Sequence, residues 1–481
     1  MTLLVLMMIP LAAAVSSALS RRARIGSIVT LMGSVAILGL SVSAILELLA
    51  SSNHLLVAVP HWIAIDALSG IILLLISIVN LTAALFSMGY MDFRETGGVR
   101  RYFVNFNLFV FSMLIVPLIQ EPNLVWVAVE LTTLFSVLLV GFENTHEALE
   151  AAWKYVVLTI MGAAIALLGF LLLYWAARQA DALHPTWSGL LAVAPQISPV
   201  LVKAAFILIL LGFGAKIGLV PLHTWLPDAH SQAPTPVCAL LSGVETTAVL
   251  YVVLRLLPIV SESPATHTNT WLLVFGLISV ATAAFVLLGV RDFKRLFAFS
   301  TIEHMGIILV AIGLGGSSAH EAAMLQVIGH ALTKSFCFYA AGAVMLVMAT
   351  RDIASVRGLI KRSPLAGVAL LLGGLGIAGA PPFALFLSEF SILKAGLNMG
   401  QYLAAGLLVI FIAIAFFGIM NHISRMVFGT GESDKQLLLG SVPTSCKITL
   451  FLSAVPVVVL GVYIPSVMQK LIELAATSMG G

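Results

Sequence analysis

Apolar residues fill the chain in a succession of runs, each about as long as a helix that crosses a bilayer. A transmembrane helix needs ~20 apolar residues. Because the hydrocarbon interior offers no partner for backbone polar groups, each such run predicts a helix. Fourteen runs qualify, near residues 2–19, 25–50, 62–90, 102–119, 123–142, 153–177, 199–224, 235–257, 270–290, 296–315, 321–349, 364–396, 401–424 and 448–468. The pattern predicts an all-α integral membrane protein of about fourteen transmembrane helices.

Composition supports the same class. Of 481 residues, 60% are hydrophobic and 9% are charged, whereas soluble domains carry roughly 25% charged residues. The net charge of +3 gives no reason to expect nucleic-acid binding. Basic residues follow the first apolar run instead of preceding it, so we interpret residues 1–20 as a retained helix and not as a signal peptide.

Basic residues concentrate in the loops that follow odd-numbered spans, whereas the opposite loops hold Arg178 and little else. By the positive-inside rule the basic loops face the cytoplasm, so both termini are predicted on the outer side. The basic residues concerned are Arg21, Arg22, Arg24, Arg94, Arg100, Arg101, Lys154, Arg291, Lys294, Arg295, Arg351, Arg357, Lys361, Arg362, Arg425, Lys435 and Lys447.

A small set of ionisable residues falls deep inside the predicted spans. A charge at mid-membrane costs ~2.5–3.5 kcal/mol on insertion scales, and such residues usually mark ion or proton routes. They are therefore expected to pair along a hydrated interior path. The alternative is structural, with ion pairs that only lock helices together. The residues are Glu130, Lys216, Glu245, Glu303, His304, His330, Lys334, Glu389 and Lys394.

Spacing adds detail to this set. His330 and Lys334 are four residues apart and share one helix face. Glu303 and His304 are adjacent and point about 100° apart, so we expect only one of them to face the path. Glu245 is expected to be a lone acid among apolar residues, and Arg255, near a span end, is expected to extend towards the surface.

Two spans are predicted to be broken, because glycines and prolines interrupt residues 212–221 and 373–382. Such breaks are tolerated where protein or a wet cavity satisfies the freed backbone, and each lies near a charge, Lys216 or Glu389. Paired interruptions are typical of inverted-repeat transporters. We therefore expect three N-terminal helices in residues 1–101, inverted five-helix repeats in 102–257 and 270–425, and a loop and last helix in 426–481.

Sites for cofactors, metals or catalysis are not predicted. The glycines at 374, 376 and 379 match a dinucleotide-binding pattern, but no strand precedes them and prolines follow at once. Cys238, Cys337 and Cys446 are far apart and form no CxxC pair, which argues against iron–sulfur or zinc sites and against a disulfide framework.

One long motif resembles the central motif of the antiporter-like subunits of respiratory complex I, Mrp antiporters and membrane-bound group 4 hydrogenases. It reads Gly214-Ala-Lys216-Ile-Gly-Leu-Val-Pro-Leu-His223-Thr-Trp-Leu-Pro-Asp228-Ala-His230-Ser-Gln-Ala-Pro-Thr-Pro236. Further runs are similar to the hydrogenase-4 component F and formate hydrogenlyase branch: Trp126 to Thr133, Glu147 to Tyr155, Ser300 to Gly306, and Pro381 to Phe390. The resemblance covers about residues 60–430.

The resemblance implies roles for individual residues. The position of Glu130 implies an acid that pairs with Lys216 and tunes its pKa. The lysine would pass protons along His330 and Lys334 to Glu389, the terminal exchange site. Relatives place a lysine or histidine in span eight, where this chain has Glu245. The connection between Lys216 and His330 therefore departs from the family pattern.

The function expected from the resemblance is a proton-translocating subunit of a redox-driven complex in a prokaryotic-type inner membrane. Other membrane and peripheral subunits of a hydrogenase or quinone oxidoreductase would be its partners and would hold the electron chemistry. Two alternatives remain open: an Mrp-type cation/proton antiporter subunit, and a scaffold subunit that moves no ions. The long lateral helix of the largest complex I subunit of this type is expected to be absent.

Overall fold

The computed structural model describes residues 1–20, 22–92, 96–180, 182, 185–263, 268–430 and 440–480. Three of the basic residues used to orient the chain, Arg21, Arg94 and Lys435, lie outside the described residues.

Helices account for about four-fifths of the described chain. Up to the first predicted break they are α1 (Thr2–Leu19), α2 (Ala23–Ala50), α3 (Ala67–Met91), α4 (Thr96–Ile115), α5 (Pro122–Val140), α6 (His146–Gln179), α7 (Trp187–Val193) and α8 (Pro199–Ile217), with a 3-10 turn at Ala194–Gln196. They continue as α9 (Trp225–Gln232), α10 (Thr235–Leu240), a π-helical turn (Leu241–Glu245), α11 (Thr246–Glu262), α12 (Thr268–Leu287), α13 (Phe293–Leu314), α14 (Ser317–Met348), α15 (Leu359–Arg362), α16 (Pro364–Ile377), α17 (Ala384–Asn398), α18 (Tyr402–Phe428), α19 (Thr444–Val462) and α20 (Ser466–Ser478).

Length and composition confirm the membrane class. Within the described ranges, 12 helices are long and apolar enough to cross a membrane, counting α10 to α11 as one. α4 has 20 residues but carries two arginines in its first turns, and α16 and α17 form an interrupted pair. The all-α membrane fold is confirmed, and the count of fourteen spans stays a prediction.

Both predicted breaks are present. α8 ends at Ile217, and Gly218 follows in the left-handed region with φ of +92°. α16 ends at Ile377, and Gly379 has φ of +71°. Glycine is the residue that takes this backbone conformation without steric cost. A third interruption was not predicted: the π-helical turn that ends at Glu245. Such turns occur frequently at functional sites.

The helices that carry the intramembrane charges lie at the centre of the molecule. The most apolar stretch of α10 to α11 is wholly buried, and those of α13 and α14 are 94% and 89% buried, against 33% for α1, α2 and α18. Small residues let helices approach closely. A Cβ added at Gly276 of α12 would lie 2.8 Å from the carbonyl oxygen of Gly306 of α13, and the reverse substitution is equally tight.

A β-hairpin precedes α3, where the apolar run had predicted helix from residue 62. Its strands are β1 (Leu56–Val59) and β2 (Ile63–Ile65). α3 begins at Ala67 because the Asp66 side chain caps it, accepting a hydrogen bond from the Ser69 backbone N–H at 3.0 Å. Arg255 does not extend to the surface as expected. It is buried and forms an ion pair with Asp66 at 2.5 Å.

Candidate functional site

Lys216 lies in the last turn of α8, immediately before the break, and its side chain is 2% exposed. Its Nζ donates to the carbonyl oxygen of Val129 (2.6 Å) and to the hydroxyls of Thr132 (2.6 Å) and Thr133 (2.5 Å), all on α5. Nζ also lies 3.6 Å from Glu245 Oε1. An ammonium group has three donors, so α5 satisfies all of them while Glu245 supplies the opposite charge.

Glu245 ends the π-helical turn and is 1% exposed. Its Oε1 accepts hydrogen bonds from Thr132 (2.9 Å) and from the Tyr155 hydroxyl (3.0 Å). Its Oε2 is buried and has no hydrogen-bond partner in the described chain. The expectation of a lone acid among apolar residues was wrong, because α5, α6 and α8 each contribute a polar group to it.

Tyr155 holds this cluster from the side of α6. Its ring packs on Trp225 of α9 with centroids 4.5 Å apart, and its hydroxyl is also 2.7 Å from the Ser136 hydroxyl. The ring is therefore fixed by packing while its hydroxyl bridges α5 and the π-helical turn. Nothing in the spacing of Glu147 to Tyr155 had indicated this role.

Glu130 is half-buried on α5, and its Oε1 is enclosed without a hydrogen-bond partner. No ion pair joins it to Lys216 among the described residues; the resemblance had implied that pair, and the structure has Lys216–Glu245 instead. Residues 129, 132 and 133 share the α5 face that receives the lysine. Position 130 points about 100° away from position 129, which explains the difference.

A polar contact connects the π-helical turn with α14. His330 Nε2 lies 3.1 Å from the carbonyl oxygen of Ser242, and the Ser242 hydroxyl lies 2.6 Å from that of Thr301 on α13. The rings of His330 and His304 are 5.5 Å apart. The π-helical turn thus lies between Glu245 and His330, and the His304 ring is the next polar group after His330.

His304 is fully buried, and both of its ring nitrogens are occupied. Nε2 lies 3.0 Å from the carbonyl oxygen of Ile377, where α16 ends, and Nδ1 lies 2.9 Å from Gln326 Nε2. A carbonyl can only accept and an amide nitrogen can only donate. These contacts assign a neutral ring with its proton on Nε2. The Gln326 side-chain oxygen in turn accepts a hydrogen bond from Ser388 of α17.

Glu389 lies on α17, is 5% exposed, and has its Oε1 3.8 Å from His304 Nδ1. Its carboxylate rests against Gly379 at the second break, where a Cβ would collide with Oε2. The break and the acid therefore fit together because position 379 has no side chain.

Lys334 binds α13 much as Lys216 binds α5. Its Nζ donates to the carbonyl oxygen of Phe297 (2.6 Å) and to the Ser300 hydroxyl. Glu303 lies on the same helix, 3% exposed, with Oε2 unpaired within the described chain. Glu303 and His304 are both buried because α13 is enclosed by other helices.

Lys394 does not belong with these residues. Its side chain is exposed on α17. Five residues after Glu389, it is turned about 140° around the helix at 100° per residue. The prediction that it lies deep in the membrane interior was wrong.

Several polar residues of the cluster were not singled out by their sequence pattern, four of them being Thr132, Tyr155, Gln326 and Ser388. A fifth, His230 on α9, is fully buried and stacks on Phe338 at 5.1 Å, with neither ring nitrogen hydrogen-bonded to a described residue. Polar residues inside apolar spans were the available signal. Among the described residues there is no group of three or more His, Cys, Asp or Glu placed to hold a metal ion.

Comparison with known proteins places this chain in a family. Residues 122–415 match the family described as NADH:quinone oxidoreductase/Mrp antiporter, transmembrane. Residues 57–103 match the N-terminus of chain 5 of NADH-ubiquinone oxidoreductase, complex I. A hydrogenase-4 component F homolog from Methylacidiphilum infernorum is 38% identical over 83% of this chain and 85% of its own length. Hydrogenase-4 component B of Escherichia coli is 32% identical over an alignment that covers 68% of this chain and 49% of that relative.

Solved structures share the fold. The membrane-bound sulfane sulfur reductase, an archaeal respiratory membrane complex, contains a chain with TM-score 0.87 and 23% identity, covering 99% of this chain and 97% of that one. The Mrp complex from Dietzia sp. DQ12-45-1b contains one with TM-score 0.87 and 20% identity, covering 100% and 96%. The chain therefore belongs to the antiporter-like family of membrane proteins to which NADH:quinone oxidoreductase, Mrp antiporter and hydrogenase-4 subunits belong.

Proposed function

We propose that this chain conducts protons across the membrane as a subunit of a redox-driven complex of the hydrogenase-4 or NADH-quinone oxidoreductase type. Partner subunits carry the electron chemistry. The observation that carries the proposal is the run of buried ionisable and polar groups from Lys216 through Glu245, His330 and His304 to Glu389.

The surroundings of Lys216 suit a group that gains and loses a proton. Two of its three partners are the hydroxyls of Thr132 and Thr133, and a hydroxyl can donate as well as accept. When the lysine is neutral, one of these hydroxyls can turn to donate to its lone pair. The same packing therefore accommodates both protonation states of the amine.

Glu245 is the next carrier. Its Oε1 is held by Thr132 and Tyr155, whereas Oε2 is unpaired and available for a proton. A proton leaving Lys216 has this carboxylate 3.6 Å away. The acid therefore occupies the place in span eight where relatives place a basic residue, and rotation of its carboxyl group passes the proton onward.

His330 and His304 continue the route across α14 and α13 to Glu389. His304 carries its proton on Nε2 and presents Nδ1 to Gln326 and Glu389. In this tautomer Nδ1 can take up a proton from Glu389 while the Nε2 proton leaves, and transfer in the opposite sense uses the other tautomer. Histidine suits this relay because it changes charge near neutral pH in its unperturbed state.

Lys334, the buried lysine of α14, supports the same proposal of a proton route. It lies one turn after His330, and its Nζ binds α13, the helix that carries Glu303. Unpaired buried polar atoms cost free energy, yet four of these ionisable residues have one: Glu130, Glu245, Glu303 and His330. Each of these four atoms is open to proton exchange, as a proton route requires. Lys394 is left out of the proposed route because it is exposed.

We also propose the membrane orientation and the repeats. The basic loops face the cytoplasm and both termini face outward, following the positive-inside rule. Residues 102–257 and 270–425 form the two inverted repeats. The supporting observation is that each contains a broken helix with a positive-φ glycine at the break, Gly218 and Gly379.

The test compares two lysines in the complex that contains this chain. Lys216→Met should abolish proton uptake or release by sealed vesicles during turnover, while Lys394→Met, the same substitution at an exposed lysine, should leave it unchanged. Proton movement that persists in Lys216→Met would indicate a scaffold. Sodium-dependent transport without any redox partner would indicate an Mrp-type antiporter instead.

A further inference from the structure

A cavity of about 640 Å³ opens where three helix ends meet on one side of the membrane. It lies between the end of α1 (Ala18), the first turns of α4 (Arg100 and Arg101) and the turn after α5 (Gly141 and Phe142). Helix ends of spanning segments lie at the level of the lipid headgroups. The cavity is therefore at headgroup depth and well away from the buried axis.

The lining of the cavity has the polarity of an anion site. Arg100 and Arg101 are both exposed, and no described carboxylate pairs with either. The side-chain amides of Asn105 and Asn144 also line it. Guanidinium groups bind phosphate oxygens through paired hydrogen bonds, and amides can add further donors. Glu143, between two lining residues, does not line the cavity itself.

Below the charged end, the cavity continues into an apolar groove. α4 packs against both α1 and α5, so it forms the floor and the other two helices form the walls. Val104 and Leu138 line the cavity on its membrane side. Exposed apolar side chains extend both walls: Val15 on α1, and Leu134 and Leu138 on α5.

We propose that this groove binds one anionic phospholipid, with its phosphate on Arg100 and Arg101 and its acyl chains between α1 and α5. Basic pockets between transmembrane helices are suited to anionic headgroups. A free anion would need only the charged end, and the apolar walls at acyl-chain depth would serve no purpose for it. The lipid site does not depend on proton transfer. A negative result for lipid binding therefore leaves the proposed function unaffected, and the reverse also holds.

The test uses the full chain purified in detergent, with lipid binding followed by native mass spectrometry. Phosphatidylglycerol should bind at one molecule per chain, and phosphatidylcholine and inorganic phosphate should not compete for it. The double substitution Arg100→Gln/Arg101→Gln should weaken phosphatidylglycerol binding roughly 30-fold, because each basic residue near an anionic lipid contributes ~1 kcal/mol and tenfold corresponds to about 1.4 kcal/mol. Lys361→Gln/Lys447→Gln removes two exposed charges elsewhere and should bind as the parent does.

Several results would overturn the proposal. They are equal binding by the arginine double variant, equal binding of phosphatidylcholine, and displacement of the lipid by inorganic phosphate. If the double variant does not fold, a photoreactive benzoylphenylalanine in place of Val104 gives an independent answer in native membranes. Adducts to phospholipid support the site, and adducts to a neighbouring polypeptide show that a partner subunit fills the groove.

Discussion

Lys216 Nζ and Glu245 Oε1 lie 3.6 Å apart, and the two side chains are 2% and 1% exposed. The contact joins the end of α8, at the first break, to the π-helical turn before α11. Removing one member of such a buried pair leaves an uncompensated charge and costs roughly 3–5 kcal/mol. Substitutions at this pair, Lys216→Met and Glu245→Gln alike, are therefore accompanied by a measurement of assembly, and Gln at position 245 has the advantage of keeping the hydrogen bonds.

Glu130→Gln should lower proton movement while the complex stays assembled. Glu130 makes no direct ion pair with Lys216 in the described structure, but it follows Val129, whose carbonyl oxygen receives the lysine. The Lys216–Glu245 contact remains in this variant, so its loss of proton movement should be smaller than that of Glu245→Gln. Proton uptake by vesicles during turnover is the measurement.

The matched control for that prediction is Glu147→Gln, an exposed acid at the start of α6. It should pump as the parent does. Unchanged pumping by Glu130→Gln would remove Glu130 from the account.

Tyr155→Phe should reduce proton movement without abolishing it. The change deletes the hydroxyl that donates to Glu245 Oε1 but keeps the ring that packs on Trp225. Thr132 still holds the carboxylate, so the expected stability loss is about 1 kcal/mol. Thermal unfolding and the pH profile of pumping should be measured together.

Tyr339→Phe provides the comparison, since its hydroxyl bonds to Thr82 at 2.9 Å, outside the cluster. It should show a similar stability loss and normal pumping. If both tyrosine variants pump alike, Tyr155 is a structural residue only.

Glu389→Gln should block transport linked to turnover, because the amide cannot release a proton to His304 or to the aqueous side. Glu389→Asp should keep part of the activity, with its carboxyl group drawn back from Gly379. The measurement is proton release during turnover on the side of the membrane opposite to proton uptake. Glu473→Gln, at an exposed position of α20, serves as control. Full transport with Gln at 389 would exclude this acid from the route.

Acid should weaken the fold through the Asp66–Arg255 pair. Burial alone would raise the pKa of Asp66, but the charge and hydrogen bonds of Arg255 outweigh it and hold that pKa below its usual value. A group with a lowered folded-state pKa stabilises the fold above its unfolded pKa of ~3.9 and loses that contribution as pH falls through the folded value. The thermal midpoint of the parent should therefore drop below about pH 4.

Asp66→Asn should lower the midpoint at neutral pH by the equivalent of roughly 3 kcal/mol and should lack this component of the acid dependence. Identical acid curves for parent and variant would contradict the assignment. Denaturation in detergent followed by intrinsic fluorescence provides both curves.

The broad fold was predictable because apolar length and glycine placement act locally. The breaks at Gly218 and Gly379 follow from residues that free the backbone where they stand. The hairpin before α3 was missed because β2 lies within the apolar run that begins at residue 62, and only the capping by Asp66 marks the helix start.

The partners of the buried charges were less predictable, because they depend on how helices are rotated about their axes. Helices that are apolar all round give no stripe from which to deduce a facing direction. This is why Lys394 was placed with the interior charges although it is exposed. The pairing of Lys216 with Glu130 came from the family resemblance, and the structure has Glu245 as the partner. The π-helical turn inserts an extra residue into the helix before Glu245, and no local sequence feature predicted this insertion.

Protons are proposed to pass from Lys216 to Glu245 and on to His330. The variant Glu245→Gln interrupts this path at its middle member. Glutamine can still accept from Thr132 and Tyr155, so the complex should assemble and turn over electrons. Positioned proton-transfer groups contribute roughly 10²–10⁴-fold, so proton movement per turnover should fall at least tenfold. Wild-type proton movement by Glu245→Gln, at normal expression and assembly, would contradict the account.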